Sequence, residues 1–330
     1  ATDPITVQNA EGGYAGFIPN VYFATPVNDR VGIGIGLVSN YGLGLAFDPN
    51  NAIHFALKND QILNFDLTPS IGFKVNSRLS IGFGLDLQYL ENTNSLDIPL
   101  FGSSKDHLSG FNMGFHAGVM LQLNPSTTAA LTFHNRSNYH LTGYSALIST
   151  TEPVTNHNFS SDWHLPWWIA AGIRHRFSAR WYGLAKLQYT GWSTLQSIDV
   201  HHTAVPPIVP QEPLVVTPLH LSNSWTVVLG TTYQLTLQSQ LQLGIAWDQG
   251  ASNPTYRQIW LPDNDHYSIA VGWRYQWSRK TILNLGYDFA YMAPAAVRNP
   301  TPKGNVNPIF ANGELKSTSS VIGVELTHNF

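Results

Sequence analysis

The chain ends on the stretch Ser317-Thr-Ser-Ser-Val-Ile-Gly-Val-Glu-Leu-Thr-His-Asn-Phe330. Counted back in steps of two, one face is mostly apolar, with Ile322, Val324 and Leu326, and the other is mostly polar. Such alternation is the pattern of a β-strand. A soluble protein gains little from an exposed aromatic terminus, whereas an outer-membrane barrel gains a lipid-facing aromatic at the membrane interface. The stretch therefore predicts a membrane-spanning strand.

The composition favours the same class of protein. Of the 330 residues, 43% are hydrophobic and 12% aromatic, but only 11% are charged, against roughly 25% charged in a soluble domain. No run approaches the roughly 18 apolar residues of a membrane helix. A net charge of −3 offers no basic surface for nucleic acid, and the absence of cysteine excludes disulfides and thiolate sites.

Segments with a period of two recur along the whole chain, most regularly at residues 79–89 and 267–277. We count about 13 such strands. Tight polar turns alternate with long connections, as the periplasmic turns and extracellular loops of an outer-membrane barrel do. The turns lie at 28–30, 76–78, 124–126, 178–180, 236–240 and 278–280, and the long connections at 43–61, 91–109, 145–162, 193–221, 249–266 and 292–316. The sequence predicts an all-β, transmembrane antiparallel barrel, with residues 16–330 as a single domain.

An odd count conflicts with the even strand number of bacterial single-chain barrels. If Phe330 lies at the periplasmic end, residues 16–27 run inward from outside and residues 1–15 belong to an extracellular loop. We therefore expect that one strand upstream of Ala1 is missing. The last strand should then either pair in parallel with residues 16–27 or keep an unpaired edge, which is costly in lipid.

Several segments, taken in order, resemble the FadL family of outer-membrane channels for fatty acids and other hydrophobic compounds. The resemblance implies a monomeric 14-stranded barrel plugged by an amino-terminal hatch, and hence that this chain lacks the hatch and the first strand. The segments are Pro19-Asn-Val-Tyr-Phe-Ala-Thr-Pro-Val-Asn-Asp-Arg-Val-Gly-Ile-Gly34, Ser39-Asn-Tyr-Gly-Leu43, Leu165-Pro-Trp-Trp168, Tyr189-Thr-Gly-Trp-Ser193, Leu229-Gly-Thr-Thr-Tyr233, Gly244-Ile-Ala-Trp-Asp248 and Leu261-Pro-Asp-Asn-Asp265.

The resemblance also implies a kink at Ser39, Asn40, Tyr41 and Gly42 that opens a lateral gap in the barrel wall. Inward-facing glycines on the strand that begins at Val31 and ends at this kink leave room inside the barrel. Gly42 tolerates a non-strand backbone. Through such a gap an apolar ligand leaves sideways into lipid. From the residues alone, an ordinary strand end is the alternative.

Charges within the predicted strands should face the lumen, because a charge at the lipid midplane costs roughly 2–4 kcal/mol. They either pair with one another, or the cations Arg174, Arg176, Lys186 and Arg274 attract a ligand carboxylate. At the positions of the family's basic head-group residues stand Leu96 and Thr217, which leaves room for a neutral ligand. The full set is Asp86, Arg174, Arg176, Lys186, Arg274, Asp288 and Glu325.

Two predicted extracellular loops, at residues 95–102 and 205–216, are unusually apolar. Exposed apolar patches mark binding surfaces. As a hypothesis, Leu96, Ile98, Leu100 and Phe101 form a groove that captures hydrophobic ligand; packing of the loops against each other is the alternative.

No catalytic, metal or cofactor motif is present. His201 and His202 are adjacent, so on a strand they face opposite ways and do not share an ion. We predict a passive channel in the outer membrane of a Gram-negative bacterium that contacts membrane lipid and admits long-chain fatty acids. The alternatives are aromatic hydrocarbon uptake on the same scaffold, a structural or adhesive barrel with a filled lumen, and a lipase-like enzyme, which needs a Ser–His pair within hydrogen-bond reach on one barrel face.

Overall fold

The computed structural model describes residues 9–48, 52–55, 57–98, 102–149, 153–204, 215–298 and 312–330. Helical structure in these ranges is limited to two 3-10 turns, Ala52–Phe55 and Trp192–Thr194. No helix among the described residues is long and apolar enough to cross a membrane.

The remaining elements are β-strands. The first ten are β1 Gly12–Gly13, β2 Val21–Pro26, β3 Val31–Val38, β4 Gly42–Phe47, β5 Asn59–Leu67, β6 Ser70–Lys74, β7 Leu79–Ile98, β8 Gly102–Asn124, β9 Thr127–His134 and β10 Ser137–Ile148. The others are β11 Val154–Leu165, β12 Trp168–Arg176, β13 Trp181–Thr190, β14 Ser197–His201, β15 Val215–Pro218, β16 Ser224–Gln234, β17 Ser239–Asp248, β18 His266–Gln276, β19 Thr281–Arg298 and β20 Asn312–His328.

These strands form one antiparallel sheet in which each span of the membrane pairs with the next. Several spans consist of two strands separated by an irregularity of a few residues. Counted this way, the described part of the chain has thirteen spans, as predicted, and the tight turns fall where the sequence places them. Asn28 shows why these turns form: its Oδ1 accepts hydrogen bonds from the backbone N–H groups of Arg30 and Val31, which closes an Asx-type turn. The structure is the predicted antiparallel transmembrane barrel.

The predicted long connections are partly wrong, because many of their residues belong to strands. β7 and β8 continue through most of residues 91–109, and β4 and a 3-10 turn lie within residues 43–61. Paired strands that project into water keep their backbone hydrogen bonds but no longer need one apolar face. The alternation therefore fades where the membrane ends, although the ladder continues.

The seam of the sheet lies between β20 and β2. β20 pairs antiparallel with β19, from Thr281↔His328 upward, and β2 pairs with β3. In the described ranges the ladder of β20 is with β19 and that of β2 is with β3, and none joins β20 to β2. This is the unpaired edge, one of the two arrangements that the sequence predicts. Near the start of the chain, β1 pairs with the end of β4. The assignment of residues 1–15 to an extracellular loop stays a prediction, and residues 1–8 lie outside the described ranges.

The two faces of the sheet differ as the alternation predicts. Ile322, Val324 and Leu326 are exposed on the lipid side, and Phe330 is 94% exposed at the end of the chain. Inside, towards the long-loop end, side chains from many spans pack into what we call the apolar cluster. Its buried members are Leu90, Leu108, Tyr139, Leu141, Phe159, Trp163, Leu165, Leu195, Ile198, Leu219, Leu221 and Ala251.

Candidate functional site

The second span breaks at the predicted position. β3 ends at Val38 and β4 begins at Gly42, so Ser39, Asn40 and Tyr41 belong to neither strand. On the partner strand, Val38 pairs with Asp66 and Gly42 with Leu63. Three residues of the broken span thus lie opposite two of β5, which bends the span out of the regular ladder.

Side chains of β5 replace the lost ladder at this break. The Oδ1 atom of Asn64 accepts the backbone N–H groups of Asn40, at 3.2 Å, and Tyr41, at 3.3 Å. The Asn40 amide donates to Asp66 at 2.5 Å, and the Ser39 hydroxyl donates to the Asn64 carbonyl oxygen at 2.5 Å. Backbone groups within a membrane need hydrogen-bond partners. The break has them, so it is a defined backbone conformation.

On its other side, the broken span lies beside residues with which it forms no strand ladder. The β2–β3 pairing starts at Val21↔Leu37, and the β1–β4 pairing ends at Gly13↔Ala46. Between these pairings, residues 14–20 form no strand with residues 38–45 in the described structure. Phe17 and Ile18 of this segment are exposed. Hydrogen-bonded strand pairing is therefore interrupted beside Ser39–Gly42 among the described residues.

A polar layer lies on the lumen side of the break, below the apolar cluster. Asn64 and Asp66 are fully buried, and the Asn64 amide donates to Asp66 at 2.8 Å. Gln88 donates to Asp66 at 3.2 Å and accepts from Asn112 at 2.6 Å and Ser137 at 2.7 Å. This network ties four spans together and is satisfied internally.

Nearer the short turns, the first six spans line a widely open cavity of about 690 Å³ on the lumen side. The size is within the range of small-molecule sites, roughly 300–1,000 Å³. Glycines at lumen-facing positions create the space, as predicted for the second span. They are Gly32, Gly34, Gly72, Gly82 and Gly118.

A second set of lumen residues lies at the edge of this cavity, and it joins the predicted lumen residue Asp86 to His116, His134 and Ser70, which the sequence did not predict. His116 Nδ1 is 2.6 Å from Asp86 Oδ1, and His134 Nδ1 is 3.6 Å from Asp86 Oδ2. Ser70 Oγ lies 3.1 Å from His116 Nε2. A signal was available: the two histidines are equally distant along the chain from the tight turn at Pro125, and they face each other across the β8–β9 ladder.

The predicted lumen cations all lie at inward positions of β12, β13 and β18. The Arg174 guanidinium lies 4.4 Å from the ring centroid of Tyr182. None of Arg174, Arg176, Lys186 and Arg274 forms an ion pair with a described residue, whereas Asp86 faces two histidines. Among the described residues, no ion pair joins two of the predicted lumen charges, and the partners of Asp86 are histidines outside that set. The cations do not form one cluster, because Arg274 lies several strands away from the others.

The proposed capture groove is described only in part. Leu96 and Ile98 lie in β7, paired with Ser104 and Gly102, so their assignment to a loop was wrong. Both are half-buried and share the face of the strand that carries the buried Leu90. Leu100 and Phe101 lie outside the described residues, and a role in capture stays a prediction for all four.

A wall made only of antiparallel strands, with an exposed apolar outer face and polar groups inside, is typical of an outer-membrane β-barrel. Residues 6–330 match the family described as outer membrane protein transport protein (OMPP1/FadL/TodX). The chain belongs to this family of outer-membrane transporters for hydrophobic compounds, and its location is the outer membrane of Gram-negative bacteria.

Individual relatives agree with this assignment. A long-chain fatty acid transport protein of Salmonella typhi is 24% identical over 310 residues, which cover 83% of this chain and 70% of the relative. A Pseudomonas aeruginosa FadL homologue superposes with a TM-score of 0.79 at 20% identity, covering 94% of this chain and 78% of that one. The Pseudomonas putida toluene transporter TodX gives a TM-score of 0.70 at 15% identity, with 95% and 82% covered. These structures share the fold.

Proposed function

We propose that the chain is a passive channel that takes up long-chain fatty acids, collects them at the extracellular end and releases them sideways through the wall at Ser39–Gly42. The observation that carries the proposal is the position of the break. Tyr41, within the break, packs against the apolar cluster, and the exposed side of the break faces lipid.

The polar layer supports sideways release. An apolar chain that descends from the apolar cluster meets the buried groups Asn64, Asp66 and Gln88. Separating them without replacing their hydrogen bonds costs about 1–3 kcal/mol per group. The break is at the same level, and an exit through it keeps the ligand in apolar surroundings. No energy source is needed, because the membrane is the better solvent for the ligand.

The lumen cations favour fatty acids over neutral hydrocarbons, because these cations form no ion pair with a described residue. A carboxylate is a natural counter-ion for Arg174 or Lys186. The relative from Salmonella typhi is also named for long-chain fatty acids. Uptake of aromatic hydrocarbons is the rival on the same scaffold, and the absence of a single cation cluster favours it.

Uptake in a bacterial strain without its own fatty acid channel tests the proposal. Cells that express this chain should accumulate labelled oleate, and cells that express the Tyr41→Trp variant, in which a larger ring blocks the break, should accumulate less. Toluene uptake without oleate uptake would support the rival. Equal oleate uptake in cells with and without the chain would refute the proposal.

A second candidate function is ester hydrolysis in the lumen. Ser70, His116 and Asp86 form a row of nucleophile, base and carboxylate, with contacts of 3.1 and 2.6 Å, the arrangement of a catalytic triad. The Ser70 hydroxyl is also 3.1 Å from the Thr68 carbonyl oxygen, which competes for its proton. Hydrolysis of a p-nitrophenyl ester that is lost in Ser70→Ala would establish this function; equal rates in both proteins would exclude Ser70 as its nucleophile.

A further inference from the structure

The trio Asp86, His116 and His134 has the composition of a transition-metal site. Its members come from the consecutive strands β7, β8 and β9. One donor atom from each lies within 4.8 Å of the others. Among the residues that the structure describes, this is the single group of three such side chains with that proximity.

The donor spacings fit one ion. Ligands about 2 Å from a tetrahedral Zn²⁺ are roughly 3.3 Å apart. The contacts of Asp86 with the two Nδ1 atoms, at 2.6 and 3.6 Å, bracket this value.

Each histidine is held in orientation by a neighbour. Ser70 contacts Nε2 of His116, the nitrogen that faces away from Asp86. The ring of His134 stacks on Trp168, with centroids 4.0 Å apart. Metal-ligating histidines commonly have their second nitrogen hydrogen-bonded, as His116 has, which fixes tautomer and ring direction.

Gly84 provides the space for this arrangement. It pairs with both Ser70 and His116, and so lies between them in the sheet. A Cβ atom at Gly84 would lie 2.3 Å from the His116 ring and 2.6 Å from the Ser70 hydroxyl. The missing side chain therefore lets two residues on non-adjacent spans meet across it.

The site is accessible from one side. Asp86 is 2% exposed, whereas His116 and His134 both border the lumen cavity. Three protein ligands leave at least one coordination position open, as in catalytic rather than structural zinc sites. The cavity that the two histidines border is large enough for water or a small anionic ligand.

We propose that Asp86, His116 and His134 bind one divalent transition metal ion, such as Zn²⁺ or Co²⁺, at the upper edge of the lumen cavity. Imidazole and carboxylate donors suit these ions. Asp86 and the two histidines are the ligands, and Ser70 is a positioning residue that orients His116.

Metal titration of the chelator-treated protein in detergent tests the proposal. Isothermal titration with Zn²⁺ should show one site in the wild type that is weakened at least about 100-fold in His134→Gln and in Asp86→Asn. Ser70→Ala should weaken binding by about 10-fold, the lower end of outer-shell effects. Co²⁺ should give the visible bands of a low-coordinate ion in the wild type and not in His134→Gln.

His140→Gln is the matched control. His140 contacts Asp162 at 2.7 Å in an exposed pair, so its loss removes a His–Asp contact without touching the trio, and the site should remain. Because the chain has 13 histidines, the difference between variants is the relevant quantity. Unchanged Zn²⁺ affinity in His134→Gln, or a wild type without the Co²⁺ bands, overturns the proposal. The Co²⁺ spectrum is measured on the wild type, so this test of the proposal does not depend on whether any variant folds.

Discussion

The Tyr41 hydroxyl donates a hydrogen bond to the Pro166 carbonyl oxygen at 3.1 Å. These residues are 125 positions apart, and each lies at an irregularity of its own span, Tyr41 between β3 and β4 and Pro166 between β11 and β12. The two spans are not neighbours in the sheet. The bond therefore crosses the lumen and links the break in the wall to the far side of the barrel.

Tyr41→Phe should destabilise the barrel by about 1–2 kcal/mol, because the Pro166 carbonyl loses a donor in a half-buried position. The measurement is urea unfolding in lipid vesicles. Tyr267→Phe is the control, since the exposed Tyr267 side chain forms no side-chain hydrogen bond with a described residue, and it should cost less. Equal losses for the two variants would show that the bond across the lumen contributes nothing special.

Gly72→Leu should reduce oleate uptake by filling the lumen cavity, which Gly72 lines. Gly286→Leu serves as the control. A Cβ atom at either glycine would have a backbone oxygen 3.9 Å away as its nearest neighbour, so both sites have room for a side chain, but Gly286 does not line the cavity. Equal uptake by the two variants, at equal amounts of folded protein, would mean that the cavity is not on the ligand path.

The double variant Arg174→Gln, Arg176→Gln should weaken oleate binding by up to about fivefold and leave toluene binding unchanged. The effect is small because both side chains are exposed to water, where an ion pair contributes about 0–1 kcal/mol. Fluorescence displacement in detergent measures both ligands. Arg180→Gln, in a tight turn, is the control. A parallel loss for toluene would indicate a packing change instead of lost charge.

Val271→Arg should cost about 2–4 kcal/mol, because Val271 is exposed on the lipid side near the middle of β18 and an arginine there would be placed in hydrocarbon. The neighbouring Ala270→Arg, which points into the lumen, should cost much less. Unfolding in vesicles gives both values. Similar costs would contradict the assignment of the two faces.

Asp263 holds the extracellular connection between β17 and β18 closed, because its carboxylate accepts the N–H groups of Ala251 and Ser252, both at 2.7 Å. Burial raises the pKa of this carboxyl. The closed connection therefore retains the proton in a pH range where the open form has lost it, and lowering the pH into that range should favour closure. Asp263→Ala should speed proteolysis there, by the loss of about 1–3 kcal/mol.

The pH effect on Asp263 has its own check. Cleavage rates of the wild type, normalised to an unstructured peptide, should fall as the pH is lowered, and Asp263→Asn, which cannot titrate, should show no such change. The same pH dependence in both proteins would assign the effect to another group.

Much of the fold follows from local sequence. The alternation in residues 79–89 and 317–330, the Asx turns at residues such as Asn28, and the exclusion of charge from the lipid face are properties of short segments, and each predicts a strand, a turn or an orientation without knowledge of the neighbours. These local properties predicted the barrel, the thirteen spans of its described part, and the inward direction of Arg174 and Lys186.

Register between spans decided the rest. The extension of β7 to Ile98 depends on pairing with β8. The polar residues in this part of the strand are compatible with such pairing but do not predict it. Asp86, His116 and His134 meet because the ladders of β7, β8 and β9 bring them to one height, and Tyr41 reaches Pro166 because the sheet curves round on itself. Such contacts depend on the register and curvature of the whole sheet, which no single segment of the sequence encodes.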